Sequence, residues 1–193
     1  MAISSVGGCE WPNSSPEMIE YHDKEWGVPV HDDNKLFEIL CLDGAQAGLS
    51  WSTILKRREG YREAFDGFDI AKVSKYKESK VRRLLQNRRI IRNQAKIRSA
   101  INNAKRILEL KKEFESFDRY LWGFIDRKPI NHRYKSMSQI PSTSPLSDKI
   151  TIDLKKRGFT FIGSTICYAI MQSVGMVNDH TTSCSRYKQI QSL

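Results

Sequence analysis

Three observations predict an all-helical fold. Apolar residues recur at three- and four-residue spacing, most clearly at Ile97, Ala100, Ile101, Ala104, Ile107 and Leu108, opposite a basic face. Side chains able to cap helices stand at the heads of such stripes. Polar, proline-bearing sequence of loop character gathers in residues 129–145. Taken in order, Asp32 or Asp33 caps a helix that turns Leu36, Phe37, Ile39 and Leu40 inward, with Gly44 and Gly48 interrupting it. Ser50 caps the next, with Ile54, Leu55 and Tyr61 on one face, and Val81, Leu84 and Leu85 mark a short amphipathic helix. After the long stripe, Phe117, Tyr120, Leu121 and Phe124 give another. Beyond the loop, a basic helix ends at Lys155-Lys156-Arg157, and Gly158 supplies a left-handed residue at its end. Gly163 opens an apolar helix through Ile166, Ala169, Ile170 and Met171, which Gly175 ends. No repeat or hinge divides the chain, so residues 1–193 read as a single helical domain.

At 193 residues, 39% of them hydrophobic, the chain can bury a sizeable core and is not disordered. No apolar run approaches the ~20 residues that span a bilayer, so no membrane is expected. Residues 1–8 lack a charged start and an apolar stretch, so neither is secretion. Cys41 and Cys167 lie in apolar runs and read as ordinary buried thiols of a reduced, intracellular compartment. The net charge of +10 draws the chain to polyanions, of which nucleic acid is the commonest specific partner.

Three constellations carry candidate chemistry. Twelve residues separate Cys9 from His22 and three separate His180 from Cys184, whose spacing of four is about one helical turn. Two thiols and two imidazoles suit a closed Cys₂His₂ zinc site; on spacing alone, buried thiols and surface histidines are the commoner explanation. Gly158 to Gly163 between two helices form a helix–hairpin–helix. Its free N–H groups, with the Ser164 and Thr165 hydroxyls, suit a DNA phosphate; a plain tight helical hairpin has the same glycines. Trp11, Tyr21, Trp26 and Trp51 lie outside clean helical stripes, and Asp43 continues the buried face of Leu36, Ile39 and Leu40. Aromatics and a carboxylate suit a flipped-out base, although tryptophans are mostly core and Asp43 could cap a turn.

Longer blocks carry a resemblance. Cys9-Glu10-Trp11, Tyr21 through Pro29, Gln46 through Trp51, Ile90-Ile91-Arg92, Ile140 through Ser144, Lys155 through Phe159, Phe161-Ile162-Gly163, Thr165 through Tyr168 and Val177 through His180 resemble the 3-methyladenine DNA glycosylase I family over nearly the whole chain. The resemblance implies the all-α helix–hairpin–helix glycosylase fold. A structural zinc on Cys9, His22, His180 and Cys184 would tether the segments at 9–22 and 180–184. It implies hydrolysis of the N-glycosidic bond of 3-methyladenine in alkylated double-stranded DNA, by base flipping, and a monomer. Trp11, Tyr21 and Trp51 fall on its pocket residues, and Leu49 on the residue that fills the gap left in the duplex. Gly158, Gly163, Ser164 and Thr165 fall on its DNA-binding hairpin. Asn178 stands where related enzymes carry a general-base Asp, and Thr165 near their Schiff-base lysine, so no strand cleavage is implied.

The base-reading carboxylate departs from the family, with Leu42-Asp43-Gly44 in place of Leu-Glu-Gly. One methylene less withdraws it by ~1.5 Å, enough to break a hydrogen bond that nothing else restores. Ala45 replaces a usual Gln. Arg89 replaces a usual Gly, which would pass the left-handed turn residue to Asn87. A catalytically silent DNA-lesion binder, or a glycosylase for another lesion, is therefore an alternative to the 3-methyladenine enzyme. An RNA-binding protein has only the charge in its favour.

Overall fold

The computed structural model describes residues 9–193. Eleven α-helices are present among them: α1 (Pro16–Lys24), α2 (Asp33–Gln46), α3 (Trp51–Leu55), α4 (Arg58–Ala64), α5 (Ile70–Val73), α6 (Glu78–Gln86), α7 (Gln94–Phe114), α8 (Phe117–Trp122), α9 (Pro145–Lys156), α10 (Ser164–Ser173) and α11 (Ser185–Gln191). Two short strands, β1 (Ile130–Asn131) and β2 (Val177–Asn178), pair in parallel. No helix is long and apolar enough to cross a membrane among the described residues.

Helix α2 is the centre of the fold. Asp32 caps it by accepting from the Lys35 N–H at 2.8 Å. Asp33, the other candidate cap, instead accepts from the Asp118 N–H and pairs with Lys111. Leu36 and Leu40 meet Leu121 of α8, Leu154 of α9 and Ile170 of α10 in the core. Each such side chain contributes about 1.5–3 kcal/mol of burial free energy. The same face continues through Leu42 to Asp43, which is 4% exposed.

Gly44 does not interrupt α2 as expected, since the helix runs on to Gln46. The hairpin passes beside this glycine, and a Cβ there would make ordinary contact with the Phe161 ring and carbonyl at 3.9 Å. The stop is Gly48, at φ +77°, and Lys96 seals it by donating to the Ala45 and Ala47 carbonyls at 2.7 Å each. The helix expected after Ser50 is two helices, because the chain turns at Lys56 and Arg57, and Tyr61 belongs to the second. Asn87 is not left-handed: it sits at φ −75°, and Arg89 has no positive φ either; it packs so closely on Gly60 that a Cβ there would lie 2.6 Å from it. The 129–145 stretch is mostly loop, but β1 ties it to β2, and Pro145 begins α9 in the position where a missing N–H costs nothing.

The α9–α10 hairpin forms as expected. Gly158 lies at φ +81°, and Gly163 caps α10 with extended backbone. Two asparagines of α7 hold it: Asn102 donates to the Gly158 carbonyl at 2.8 Å, and buried Asn103 donates to the Thr160 carbonyl while accepting from its N–H. Nothing in the apolar stripe of α7 announces this.

The turn after α10 packs against residues 27–30. Gly27 N–H donates to the Gln172 carbonyl at 3.1 Å and Val30 N–H to the Val174 carbonyl at 3.0 Å. Gly175, at φ +76°, has room for hydrogen alone: a Cβ would lie 2.5 Å from the Val28–Pro29 backbone. Gly175→Ala is expected to cost at least about 2 kcal/mol in denaturant unfolding, from strain and backbone clash together. An unchanged midpoint would contradict this packing.

Candidate functional site

Two features lie side by side. The first is a cluster of Cys9, His22, His180 and Cys184, all buried, with their ligand atoms within 4.8 Å of one another. Cys184 Sγ lies 3.6 Å from both His22 Nε2 and His180 Nδ1, and Cys9 Sγ lies 3.9 Å from His180 Nδ1. Sulfur and nitrogen at opposite edges of a tetrahedral zinc site stand about 3.6 Å apart, so the set fits such an ion. The outer bonds agree. His22 Nδ1 faces Asp23 at 2.8 Å and His180 Nε2 faces the Trp26 carbonyl at 3.0 Å, which fixes the tautomers that leave the inward nitrogens as lone pairs. Sharing between the two sulfurs pulls the Cys9 thiol below its ordinary value and pushes Cys184 above it; a cation would let both ionise. The buried group can therefore hold a metal ion. His180 and Cys184 are not one turn of helix as their spacing suggested. They flank a turn closed by Cys184 N–H on the Thr181 carbonyl, and Cys184 is the N-cap of α11.

The second feature is an open cavity of about 340 Å³. Trp11, Tyr21 and Trp51 line it, as does Trp26, whose ring also packs on His22 and His180 at centroid distances of 6.1 and 4.6 Å. Trp11 and Tyr21 meet edge to face at 6.3 Å, and Tyr21 and Trp51 lie 5.3 Å apart. Met137, Ile140 and Pro141 of the 129–144 loop wall one side, and Thr165 and Gln172 of α10 another. Loop residues gave no sequence signal beyond their place in the block Ile140 through Ser144. Gln172 is held by Asp179, whose buried carboxylate also accepts from Tyr168 and faces His132 Nδ1 at 2.6 Å.

Three residues that line this cavity each carry a buried polar atom with no hydrogen-bond partner: Trp11 Nε1, Trp51 Nε1 and Asp43 Oδ2. Such atoms are rare in folded proteins and costly, about 1–3 kcal/mol each. Three among the residues lining one cavity suit a site that receives a polar ligand. Burial raises the Asp43 carboxyl from 3.8 to about 8, with the Ser173 hydroxyl partly opposing it. Tyr21 donates to that same hydroxyl at 3.0 Å. Behind the aromatic wall, Arg58 bridges Glu25 with two bonds of 2.7 Å and Glu38 with one of 2.7 Å, joining the segment after α1 to α2 and α4. Burial penalises both carboxylates, but the Arg58 guanidinium outweighs it and holds them below the ordinary value.

The remaining expected site residues fall nearby. Leu49 stands in the α2–α3 turn, 40% exposed. Gly163 is open, with nothing within 4 Å of an added Cβ. Ser164 is not free as expected: its hydroxyl is engaged with Ser147 Oγ at 2.7 Å, while Thr165 is exposed at the cavity. Asn178 is fully spent, donating to Asn131 and to the Tyr187 carbonyl and accepting from the His180 N–H.

A family model described as methyladenine glycosylase matches residues 11–187. The chain belongs to the methyladenine glycosylase family. DNA-3-methyladenine glycosylase 1 of Escherichia coli K12 is 46% identical over 179 residues, covering 93% of this chain and 96% of that one. A crystal structure of 3-methyladenine DNA glycosylase I superposes with a TM-score of 0.89 at 48% identity, covering 92% of this chain and 98% of that one. A structure of 3-methyladenine recognition by the Staphylococcus aureus enzyme reaches 0.87 at 31% identity, covering 89% and 92%. The fold is that of these glycosylases, and the aromatic cavity and Cys/His cluster are features of a member of the family.

Asp43 gives a pH test. Between its ordinary value and about 8 the unfolded chain releases this proton while the folded chain keeps it, so the group's contribution to stability falls as pH rises. The stability of Asp43→Asn relative to the parent is expected to rise by more than about 1 kcal/mol between pH 4 and pH 8 in urea unfolding. A difference that stays constant would mean the carboxyl titrates normally.

Proposed function

We propose that this chain is a monofunctional DNA glycosylase that hydrolyses the N-glycosidic bond of 3-methyladenine in alkylated double-stranded DNA. One observation carries the reading: three residues lining one aromatic cavity, two tryptophans and Asp43, each carry a buried polar atom without a partner. Methylation at N3 makes adenine cationic, so the base is already a good leaving group, and the protein has to extract, recognise and hold it. Trp11, Tyr21 and Trp51 offer ring faces that attract a cationic π system. Asp43 accepts from the exocyclic amine, and Leu49 enters the stack the base has left. The hairpin's unpaired N–H groups at the start of α10, with Gly158, Gly163 and Thr165, take the DNA backbone.

No lysine lines the cavity among the described residues, and Thr165 stands at its edge, which supports hydrolysis without strand cleavage. Asn178 cannot serve as a base, since its amide is fully engaged. The metal we infer is zinc, held by Cys9, His22, His180 and Cys184. With four protein ligands it has no open position, so it would supply a cross-link and none of the chemistry. The chain acts, in this reading, as one monomeric unit of residues 1–193 on intracellular DNA, where its four cysteines stay reduced, as they are here.

A second reading has its own observation. Asp43 is both shorter than the family's Glu and held neutral at pH 7, and a neutral carboxyl donates as well as accepts. A lesion presenting an acceptor where 3-methyladenine has its amine would then be preferred.

Purified protein is expected to release free 3-methyladenine from methylated DNA, and Asp43→Ala to lower that rate about 10–100-fold, the worth of a hydrogen bond to a charged group. Release of a different methylated purine in its place would favour the second reading, and no release at all would sink both. Elemental analysis is expected to find one zinc per chain. Chelation or Cys184→Ala should cost at least about 3 kcal/mol, near 10 °C in Tm for a chain of this size. A stripped protein with an unshifted Tm would show that the cluster is not a structural zinc site.

A further inference from the structure

A second cleft, of about 450 Å³, lies between α3, α4 and the α6–α7 turn. Its lining gathers four cations, Lys56, Arg57, Arg88 and Arg89, against one carboxylate, Glu59. Arg62, which does not line the cleft, engages Glu59 at 2.5 Å, and Arg89 pairs with Glu63. Among the described residues, Lys56, Arg57 and Arg88 have no carboxylate within ion-pair distance. Like charges gathered in this way repel, so other contacts have to hold them together. Three such contacts pin the 87–91 turn. Arg57, the N-cap of α4, donates to the Arg88 carbonyl at 2.7 Å, and the Ile91 N–H donates to the Tyr61 hydroxyl at 3.1 Å. Gly60 then lets the Arg89 backbone lie directly on α4. The cleft also opens beside the expected plug. Thr53 lines it, four residues after exposed Leu49, while Trp51 of the same short helix lines the base cavity.

We propose that this cleft is a second backbone site, which takes a phosphate of the duplex beside the step that Leu49 enters. No aromatic or aliphatic residue lines it, so it offers nothing to a base or a lipid chain. Guanidinium groups suit the paired oxygens of a phosphodiester, and Arg57 has spent one of its N–H donors on the Arg88 carbonyl, where a guanidinium has five. An anion that enters also relieves the repulsion among the four cations. Duplex DNA carries one charge about every 1.7 Å of its axis, so a plug in the stack has phosphates within reach on either side. The cleft is separate from the hairpin, since no residue of 158–165 lines it, and the two would grip the backbone at two points. The proposal rests on duplex DNA being the partner and is independent of which base is excised.

The test is binding of a short duplex carrying one tetrahydrofuran abasic analogue, followed by fluorescence anisotropy over a series of salt concentrations. The parent is compared with Lys56→Gln combined with Arg88→Gln, and with Lys56→Arg combined with Arg88→Lys. Removing both charges is expected to weaken binding about tenfold at moderate salt and to lower the slope of log affinity against log salt by about one, the release of counterions from one phosphate. Tm and the affinity for free 3-methyladenine should stay as in the parent, and the charge-conserving pair should keep the parent's slope. A second arm replaces the phosphates around the abasic step one at a time by neutral methylphosphonates. One position is expected to weaken the parent about fivefold or more and the Gln pair less than about twofold, as coupled partners do. An unchanged slope in the Gln pair overturns the site. So does an equal loss in both proteins at every methylphosphonate, which would mark a charge acting only at a distance. A parent that binds no duplex would overturn the DNA reading itself, whereas a duplex bound with an unchanged slope overturns the cleft alone.

Discussion

The site depends on one constraint: residues 9–26 and residues 176–187, far apart in sequence, must meet at one point. Cys9 and His22 supply half of the donor cluster there, and His180 and Cys184 the other half. The cavity's aromatic wall hangs from the same segments, since Trp11 stands two residues after Cys9 and Tyr21 directly before His22. Trp26 shows the coupling most directly. Its carbonyl faces one candidate ligand, its ring packs on both imidazoles, and its other edge lines the cavity. Loss of the cluster would loosen the wall before it loosened the core around α2.

A second brace works from the far side. Arg58 and its two carboxylates lock the segment after α1 against α2 and α4, so Tyr21 is pinned between an ion network and Ser173. Buried ion pairs contribute little net stability, but removing one partner is costly, and their use here is geometric. The cavity can then carry groups that no folded core tolerates in quantity: two unbonded indole N–H groups and a carboxyl raised to about 8. Their cost is borne by the surrounding structure, and a base that satisfies them gains what folding left unspent.

The helical class, the hairpin and its glycines, the caps at Asp32 and Ser50, and the four clustered donors were all legible in the sequence. Spacing and capping are local, and they survive translation into structure. Errors arose where tertiary contacts overrule local preference. Gly44 reads as a helix breaker, yet α2 passes through it, because the packing of its buried face outweighs one glycine's weak helix propensity. His180 and Cys184 read as one helical turn, yet they flank a non-helical one, because ligand spacing of four residues does not require a helix. Ser164 reads as a free donor until Ser147 is seen beside it. Asn102 and Asn103, which hold the hairpin, and Ser173, which accepts from Tyr21, carry no pattern at all. Their partners lie 56, 57 and 152 residues away.

The central claim is that the Cys/His cluster assembles the base pocket. It is tested most directly by titrating 3-methyladenine into metal-loaded, metal-stripped and reloaded protein and following tryptophan emission, at a temperature where circular dichroism shows the stripped form still helical. The stripped form is expected to bind at least about tenfold more weakly, equivalent to about 1.4 kcal/mol, and the reloaded form to recover. A stripped, helical protein that binds the base as tightly as the loaded one would contradict it.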